Sequence, residues 1–97
     1  MDLLHQKSNP KRVQHNLNQY FGRPIDLYLS NRKNKKYMIQ SPTGWVHFGD
    51  IRYSDYTKHQ DESRRHSYIQ RATNIRGKWK ADPYAANNLS LHILWEY

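Results

Sequence analysis

The sequence predicts an α+β fold, in which a three-stranded antiparallel meander is packed by one main helix and a short C-terminal helix, after an extended N-terminal arm. Three observations support this prediction. Short apolar runs with strand character alternate with turn-like segments between residues 25 and 48. A segment with helix-capping residues follows near residue 57. The first 22 residues are polar and carry too thin an apolar stripe to fold alone.

Residues 1–22 are rich in Asn, Gln and His, and we predict that they form an arm outside a single domain over residues 23–97. A short helix over residues 11–20 is possible within the arm, because Val13, Leu17 and Tyr20 share a face at helical spacing. A polar arm of this kind normally frays when a protein is alone in solution. An ordered arm would therefore be held by an assembly.

Three runs predict strands, and the segments between them predict hairpins. Apolar residues alternate with other residues over 25–29, and further short runs cover 37–39 and 45–48. The intervening segments, 31–36 and 41–44, have the length and composition of hairpin loops. The sequence therefore predicts an antiparallel meander.

The main helix is predicted over residues 58–73, with Thr57 as its N-cap and Gln60 completing a capping box. Side chains expected to face the sheet are Tyr68, Ile69 and Ala72. The apolar positions of residues 89–95 fit a short C-terminal helix or a strand, and we favour the helix.

The charge balance indicates an acidic partner. Sixteen Lys and Arg residues stand against eight Asp and Glu residues, which gives a formal net charge of +8. The sequence contains no cysteine, which excludes disulfides, thiolate chemistry and the usual structural zinc clusters. No apolar run reaches the roughly eighteen residues of a membrane span, so we expect no membrane partner.

Clusters of cations predict where that partner would bind. Four lie within five positions at a hairpin tip, although a charged tip that protects a sheet edge is the alternative. Others recur seven residues apart along the predicted helix, where a solvated face is the alternative. The predicted partner-binding cations are Lys11, Arg12, Arg32, Lys33, Lys35, Lys36, Lys58, Arg64, Arg65, Arg71, Arg76, Lys78 and Lys80.

Aromatic residues interleave with these cations. Rings beside Arg side chains hold single-stranded nucleic acids by stacking. The stacking candidates are Tyr53, Tyr56 and Tyr84. Other rings are expected to build the core, because the chain is poor in Leu and Val. The expected core residues are Tyr37, Phe48, Tyr68, Ile69, Trp79 and Trp95.

The sequence predicts neither a catalytic residue nor a metal site. His59 and His66 are separated by two helical turns, too far to bind one ion unaided. Neither a phosphate-binding Gly-rich loop nor a Gly-flanked nucleophilic Ser occurs. We therefore expect a non-enzymatic protein without a cofactor.

A pattern in the second half of the chain comprises Phe48-Gly49-Asp50, Asp55-Tyr56-Thr57, Arg64-Arg65, Tyr68, Arg71, Trp79 and Leu94-Trp95. This pattern resembles that of a small family of uncharacterised basic proteins of giant DNA viruses and large phages. The similarity covers about residues 36–95. Gln60 stands where that family often has Lys, and Ala72 where it tends to have His, so any role of that His is absent here. The resemblance implies a viral origin and a compact module rather than a reaction.

Two functions compete on these grounds. In the first, the protein is a minor capsid or internal virion component whose arm threads among capsid proteins and whose surface binds acidic or peptide surfaces. In the second, it binds viral DNA or RNA without sequence preference. A ribosomal-type protein is a further alternative. The arm favours the first function, with capsid or other virion proteins as partners. The expected location is the virion, and the host cytoplasm or nucleus during infection.

Overall fold

The computed structural model describes residues 3–97, so the predicted order of the arm at its first two residues lies outside the described part. The fold is α+β, as predicted. The elements in chain order are α1 (Leu3–Lys7), α2 (Pro10–Phe21), β1 (Tyr28–Leu29), β2 (Lys35–Ser41), β3 (Gly44–Asp50), α3 (Tyr56–His59), α4 (Glu62–Thr73), a 3-10 turn (Trp79–Ala81), α5 (Ala86–Leu89) and a π-helical turn (Ser90–Leu94).

The sheet is an antiparallel meander in the order β1-β2-β3, which confirms the predicted topology. Strands β2 and β3 pair Tyr37 with Phe48, and a tight turn connects them at residues 42–43. Strand β1 has two residues rather than the five predicted. One reason is that the backbone N–H of Ile25 donates to the side chain of Asn18 in α2, at 3.0 Å.

The core lies between the sheet, α2 and the C-terminal helical turns. Tyr37 and Phe48, both expected in the core, are fully buried with their ring centroids 5.8 Å apart. Other members of the core cluster are Leu4, Val13, Leu17, Ile39, Leu89, Ile93 and Leu94. Trp79 and Trp95, also expected there, are only partly buried. Aliphatic side chains therefore contribute more of the core than the sequence suggested.

Residues 3–21 form α1 and α2 rather than an extended arm, and α2 covers the short helix that the sequence allowed over residues 11–20. Asn9 caps α2 by accepting from the backbone of Arg12, and Gly22 ends the helix in the left-handed region. Val13 and Leu17 have 0% exposure. The thin stripe is sufficient because most helical stability comes from packing an apolar face, which here packs against the C-terminal turns.

The predicted helix over residues 58–73 is divided into α3 and α4. Gln60 adopts φ 55 and ends α3, and Asp61 caps α4 by accepting from Ser63 N at 3.0 Å. The cap of α3 is Asp55 rather than Thr57, whose backbone N–H donates to Asp55 at 3.0 Å. Two Asp residues six positions apart thus begin two helices.

The C-terminal segment is helical, as favoured from its apolar positions, and it begins at Ala86. Its π-helical turn buries Leu91, Ile93 and Leu94. Helix α4 does not lie flat on the sheet, since Ala72 is its one buried residue, and Tyr68 and Ile69 are half-buried. A groove separates α4 from the sheet.

Candidate functional site

The groove lies between α4 and the end of the sheet at which β2 begins and β3 ends. It has a volume of about 830 Å³ and is open to solvent. One face of α4 lines it with residues at helical spacing: Ser63, Arg64, Ser67, Tyr68, Arg71 and Ala72. The sheet and the following loop line the other side with Lys35, Lys36, Gly49, Asp50, Tyr53, Ser54 and Asp55. Ile75, Ser90, Leu94 and Trp95 complete the lining, so the groove combines a largely apolar surface with basic side chains on both sides.

Three exposed cations line the groove. Lys35 stands on the sheet side, and Arg64 and Arg71 stand seven residues apart on α4. Within residues 3–97 none of the three forms an ion pair. Their charges are consequently available to a ligand.

Within residues 3–97, two carboxylates line the groove, and both already have a partner. Arg52 binds Asp50 through two guanidinium nitrogens, at 3.0 and 2.7 Å, which lowers the pKa of Asp50 to about 2. Asp55 binds Lys36. Because these anions are neutralised, the groove carries a net positive charge from the three exposed cations.

The Lys36–Asp55 pair lies in the interior wall of the groove. The Lys36 Nζ and Asp55 Oδ2 atoms are 2.9 Å apart, and the two side chains are 2% and 1% exposed. Burial lowers the pKa of Lys36, and the nearby Asp55 carboxylate opposes that effect. Lys36 also donates to the carbonyl of Lys7 at 3.3 Å. This lysine is a structural cation, contrary to its prediction as a partner-binding residue.

A buried polar network extends from this pair into the N-terminal helices. Asp55 accepts from the Thr57 hydroxyl, which lies 3.3 Å from the hydroxyl of Ser8, and Tyr37 donates to Ser8 at 2.7 Å. The backbone N–H of Asn9 donates to Thr57 at 3.0 Å. The network joins the α1–α2 junction to β2 and α3, so it holds the sheet side of the groove in place.

Aromatic rings flank the groove. Tyr68 on α4 stacks on Trp95 with centroids 4.2 Å apart and planes 6° from parallel. Arg65 fixes the chain beside this stack by donating to the carbonyls of Trp95 and Glu96, at 2.9 and 2.6 Å. Tyr53, from the loop after β3, is 64% exposed and has the guanidinium of Arg52 5.8 Å from its ring centroid. Tyr53 is thus the aromatic side chain of the groove most open to a ligand.

The structure gathers only some of the predicted site residues at the groove, namely Lys35, Lys36, Arg64, Arg71 and Tyr53. Exposed cations elsewhere are Lys11, Arg32, Lys33, Lys58, Arg76, Lys78 and Lys80. The expected column through Lys58 and Arg65 is interrupted, because the helix ends between them at Gln60.

Several predicted binding residues have structural roles instead. Arg12 binds Glu96, with its Nη2 atom 2.7 Å from Oε1, which lowers the pKa of Glu96. Tyr56 is 9% exposed and donates to Glu62. Tyr84 packs on Phe21 with centroids 4.9 Å apart. Neither tyrosine offers an open ring face of the kind that Tyr53 offers.

Sequence reasoning missed the Asp55 network. An Asp two residues before a Thr is a helix-cap signal, and it could have placed Asp55 at the start of α3. Nothing in the sequence pairs it with Lys36, nineteen residues away.

In the part of the chain that the structure describes, no three His, Asp or Glu side chains are grouped so as to hold a metal ion. None of the helices within residues 3–97 has the length and apolar character needed to cross a membrane.

Residues 25–72 match the model of a family of unknown function, DUF5754. The match is just under half of the chain, and it begins three residues before β1 and ends one residue before the end of α4. It includes Lys35, Arg64 and Arg71 and the buried Lys36–Asp55 pair, whereas α1, α2 and the C-terminal turns lie outside it. No curated protein and no solved structure matches the chain.

Proposed function

We propose that this protein is a non-enzymatic, sequence-nonspecific nucleic-acid-binding protein that holds a single strand in the groove. The observation that carries the proposal is a set of three exposed cations, Lys35, Arg64 and Arg71, around the groove. Within residues 3–97 these cations form no ion pair, and the carboxylates that line the groove are neutralised. Proteins that bind single strands without sequence preference combine a positive groove with aromatic side chains. Both components are present here.

The cations suit a phosphate backbone. Arg64 and Arg71 are separated by two turns on one face of α4, and Lys35 faces them across the groove. A guanidinium binds phosphate oxygens in pairs, and an ammonium binds them as a point charge. If the logarithm of the binding constant is plotted against the logarithm of salt concentration, three phosphate contacts to a single strand predict a slope of about −2.

The aromatic rings suit the bases. Tyr53 lines the groove with an exposed ring, and the stacked rings of Tyr68 and Trp95 also line it. Stacking tolerates any base because every base has a π face. A groove of about 830 Å³ has the size of a small-molecule pocket, which fits a few nucleotides and is too small to admit a duplex.

The viral origin implied by the resemblance of residues 36–95 is part of this proposal. The ligand would then be viral DNA or RNA, met in the virion or in the host cytoplasm or nucleus. A role as a minor capsid component stays a prediction. Its main support was an extended arm held by neighbours, and helices α1 and α2 hold residues 3–21 within the protein's own core.

Binding to labelled single-stranded and double-stranded DNA and RNA across a salt series tests the proposal. The decisive variant combines Lys35→Gln, Arg64→Gln and Arg71→Gln. A matched control combines Lys11→Gln, Arg23→Gln and Arg76→Gln, which removes the same charges from exposed positions outside the groove lining.

We expect the groove variant to lose single-strand binding and its salt dependence, while the control keeps most of both. A preference for single strands over duplex is also expected. Equal losses in the two variants would show that only net charge matters and would overturn the assignment of the groove. Absence of binding by the wild-type protein at low salt would overturn the function itself.

A further inference from the structure

The face of the sheet opposite Tyr37 and Phe48 carries an exposed aromatic pair. Tyr28 in β1 and Trp45 in β3 are 44% and 49% exposed, and their ring centroids lie 5.4 Å apart at 86°. The strand register places Tyr28, Met38 and His47 in one row and Trp45 beside Gln40 in a neighbouring row of the same face. The two rings therefore meet above the central strand.

Exposed cations lie next to this face. Arg32 and Lys33 are in the loop between β1 and β2, and Lys35 begins β2. Ser30 fixes the loop to the sheet, because its hydroxyl bonds His47 Nδ1 at 2.7 Å and accepts from the backbone of Arg32 at 3.0 Å. Within residues 3–97 no carboxylate is paired with any of the three cations.

The imidazole of His47 adds no positive charge to the face at neutral pH. Burial, with the charges of Arg32 and Lys35, lowers the pKa of His47. The positive electrostatic potential at this surface near neutral pH therefore comes from the lysine and arginine side chains and not from protonation of His47.

Lys35 connects this face to the groove. It lines the groove, and in the register it pairs with Asp50, a groove-lining residue of β3. The same lysine lies close enough to His47 for its charge to act on that ring. A strand that leaves the groove past Lys35 thus reaches the loop cations and then the Tyr28–Trp45 pair.

We infer that the outer face of the sheet is a second stacking platform for the same single strand, on which Tyr28 and Trp45 hold unstacked bases and Arg32 and Lys33 bind the phosphates. This inference rests on the proposed function of the groove. Complementary charge identifies the occupant as a polyanion. A second copy of the chain would bring like charges together, since each carries a formal net charge of +8.

Length dependence of binding tests the inference. Oligothymidylates of about 4 to 16 nucleotides span the site sizes of small single-strand-binding folds. The variant Tyr28→Ala with Trp45→Ala removes both rings at exposed positions, and Tyr28→Phe with Trp45→Phe preserves stacking. We expect the alanine pair to bind the shortest oligomer as the wild type does, and to bind the longest about 5- to 30-fold more weakly. The phenylalanine pair should retain most of the affinity for the longest oligomer.

Fluorescence gives an independent signal from this face. With Trp79→Phe and Trp95→Phe, the remaining tryptophan is Trp45. Its emission should be quenched by long oligomers and not by the shortest.

The results that would refute the second platform differ from those that would refute the groove. If the groove variant loses short-oligomer binding while the alanine pair binds every length normally, the platform is refuted and the groove stands. If the wild type binds no oligomer, both are refuted. Loss of a dimer on sedimentation in the alanine pair, with binding unchanged, would show that the face serves a protein contact and would overturn the inference.

Discussion

Lys35 and Lys36 are adjacent in the sequence and have opposite environments. Lys35 is exposed at the groove and has no ionic partner within residues 3–97, whereas Lys36 is 3% exposed and bound to Asp55. Tertiary contacts set the two environments, because Lys36 binds Asp55 and the carbonyl of Lys7, whereas Lys35 forms no such contact within residues 3–97. A run of cations in a strand is therefore not a single functional unit, and its members contribute to different properties of the protein.

The energetic consequences differ in the same way. Burying the ammonium of Lys36 removes it from water, which is tolerable only because Asp55 and the carbonyl of Lys7 replace its hydration. Lys35 keeps its hydration and adds to the field of the groove. Changes around Lys36 should alter stability, and changes around Lys35 should alter binding.

The largest expected effect is that of Asp55→Asn, which leaves the buried ammonium of Lys36 without an opposite charge. We expect the free energy of unfolding to fall by about 3–5 kcal/mol, measured by urea denaturation. Lys35→Gln is the matched control and should change it by less than about 0.5 kcal/mol. Similar small effects in both variants would remove the contrast between the two lysines.

Gly49→Ala tests the packing beside Lys36. Gly49 has φ +84, and a Cβ there would lie 2.9 Å from Leu94 Cδ1 and 3.1 Å from Lys36 Cβ. We expect a loss of about 2–4 kcal/mol from backbone strain and overpacking together. Gly22→Ala is the control, because Gly22 has φ +71 with nothing within 4 Å, and it should lose about 1–2 kcal/mol from strain alone. Equal losses in urea denaturation would show that overpacking against Leu94 and Lys36 adds nothing to the backbone strain.

Lys35→Gln tests the role of the exposed lysine in binding. The measured quantity is the slope of a plot of the logarithm of the single-strand binding constant against the logarithm of salt concentration. Because one phosphate contact is removed, this slope should become less negative by about 0.7. Lys78→Gln, at an exposed position outside the groove lining, should leave the slope unchanged. Fluorescence anisotropy across a salt series measures both. A slope altered equally by the two variants would contradict a local contact.

The smallest effect concerns Asp50, which pairs with Lys35 in the strand register and binds Arg52. Its pKa is lowered in the folded state to about 2 from the ordinary 3.8. The stabilisation is therefore complete above about pH 4 and is lost as pH falls towards about 2. Because the pair is partly exposed, it should contribute less than about 1 kcal/mol.

Urea midpoints of the wild type and Asp50→Asn, compared between about pH 5 and pH 2, measure this contribution. The difference between the two proteins should shrink as the pH falls. A difference that stays constant across that range would show that the depressed pKa of Asp50 contributes nothing.

Local signals in the sequence were sufficient for much of the fold. The turn at residues 41–44 and the apolar runs on either side predicted the β2–β3 hairpin, because its strands are close in the chain. The helical character of α2 was visible in Val13 and Leu17. Its place in the core was not, because that depends on contact with Ile93 and Leu94 at the other end of the chain.

The part of the candidate site that depends on local signals was likewise predictable from the sequence. Arg64 and Arg71 were recognised from their seven-residue spacing, which is a local property of one helix. Lys36 is buried in an ion pair with Asp55, and the Arg65 guanidinium already donates to the carbonyls of Trp95 and Glu96. Such pairings are set by tertiary structure, so charge counting alone overestimates the binding surface.

Chemical-shift mapping of the labelled protein with a single-stranded oligothymidylate locates the ligand residue by residue. If the groove binds the strand, the largest shifts will fall on the backbone amides of Lys35, Gly49, Tyr53, Arg64 and Arg71, and they will diminish as salt is added. Shifts concentrated instead around Lys11 or Lys78, with those amides unchanged, would contradict a nucleic-acid site in the groove.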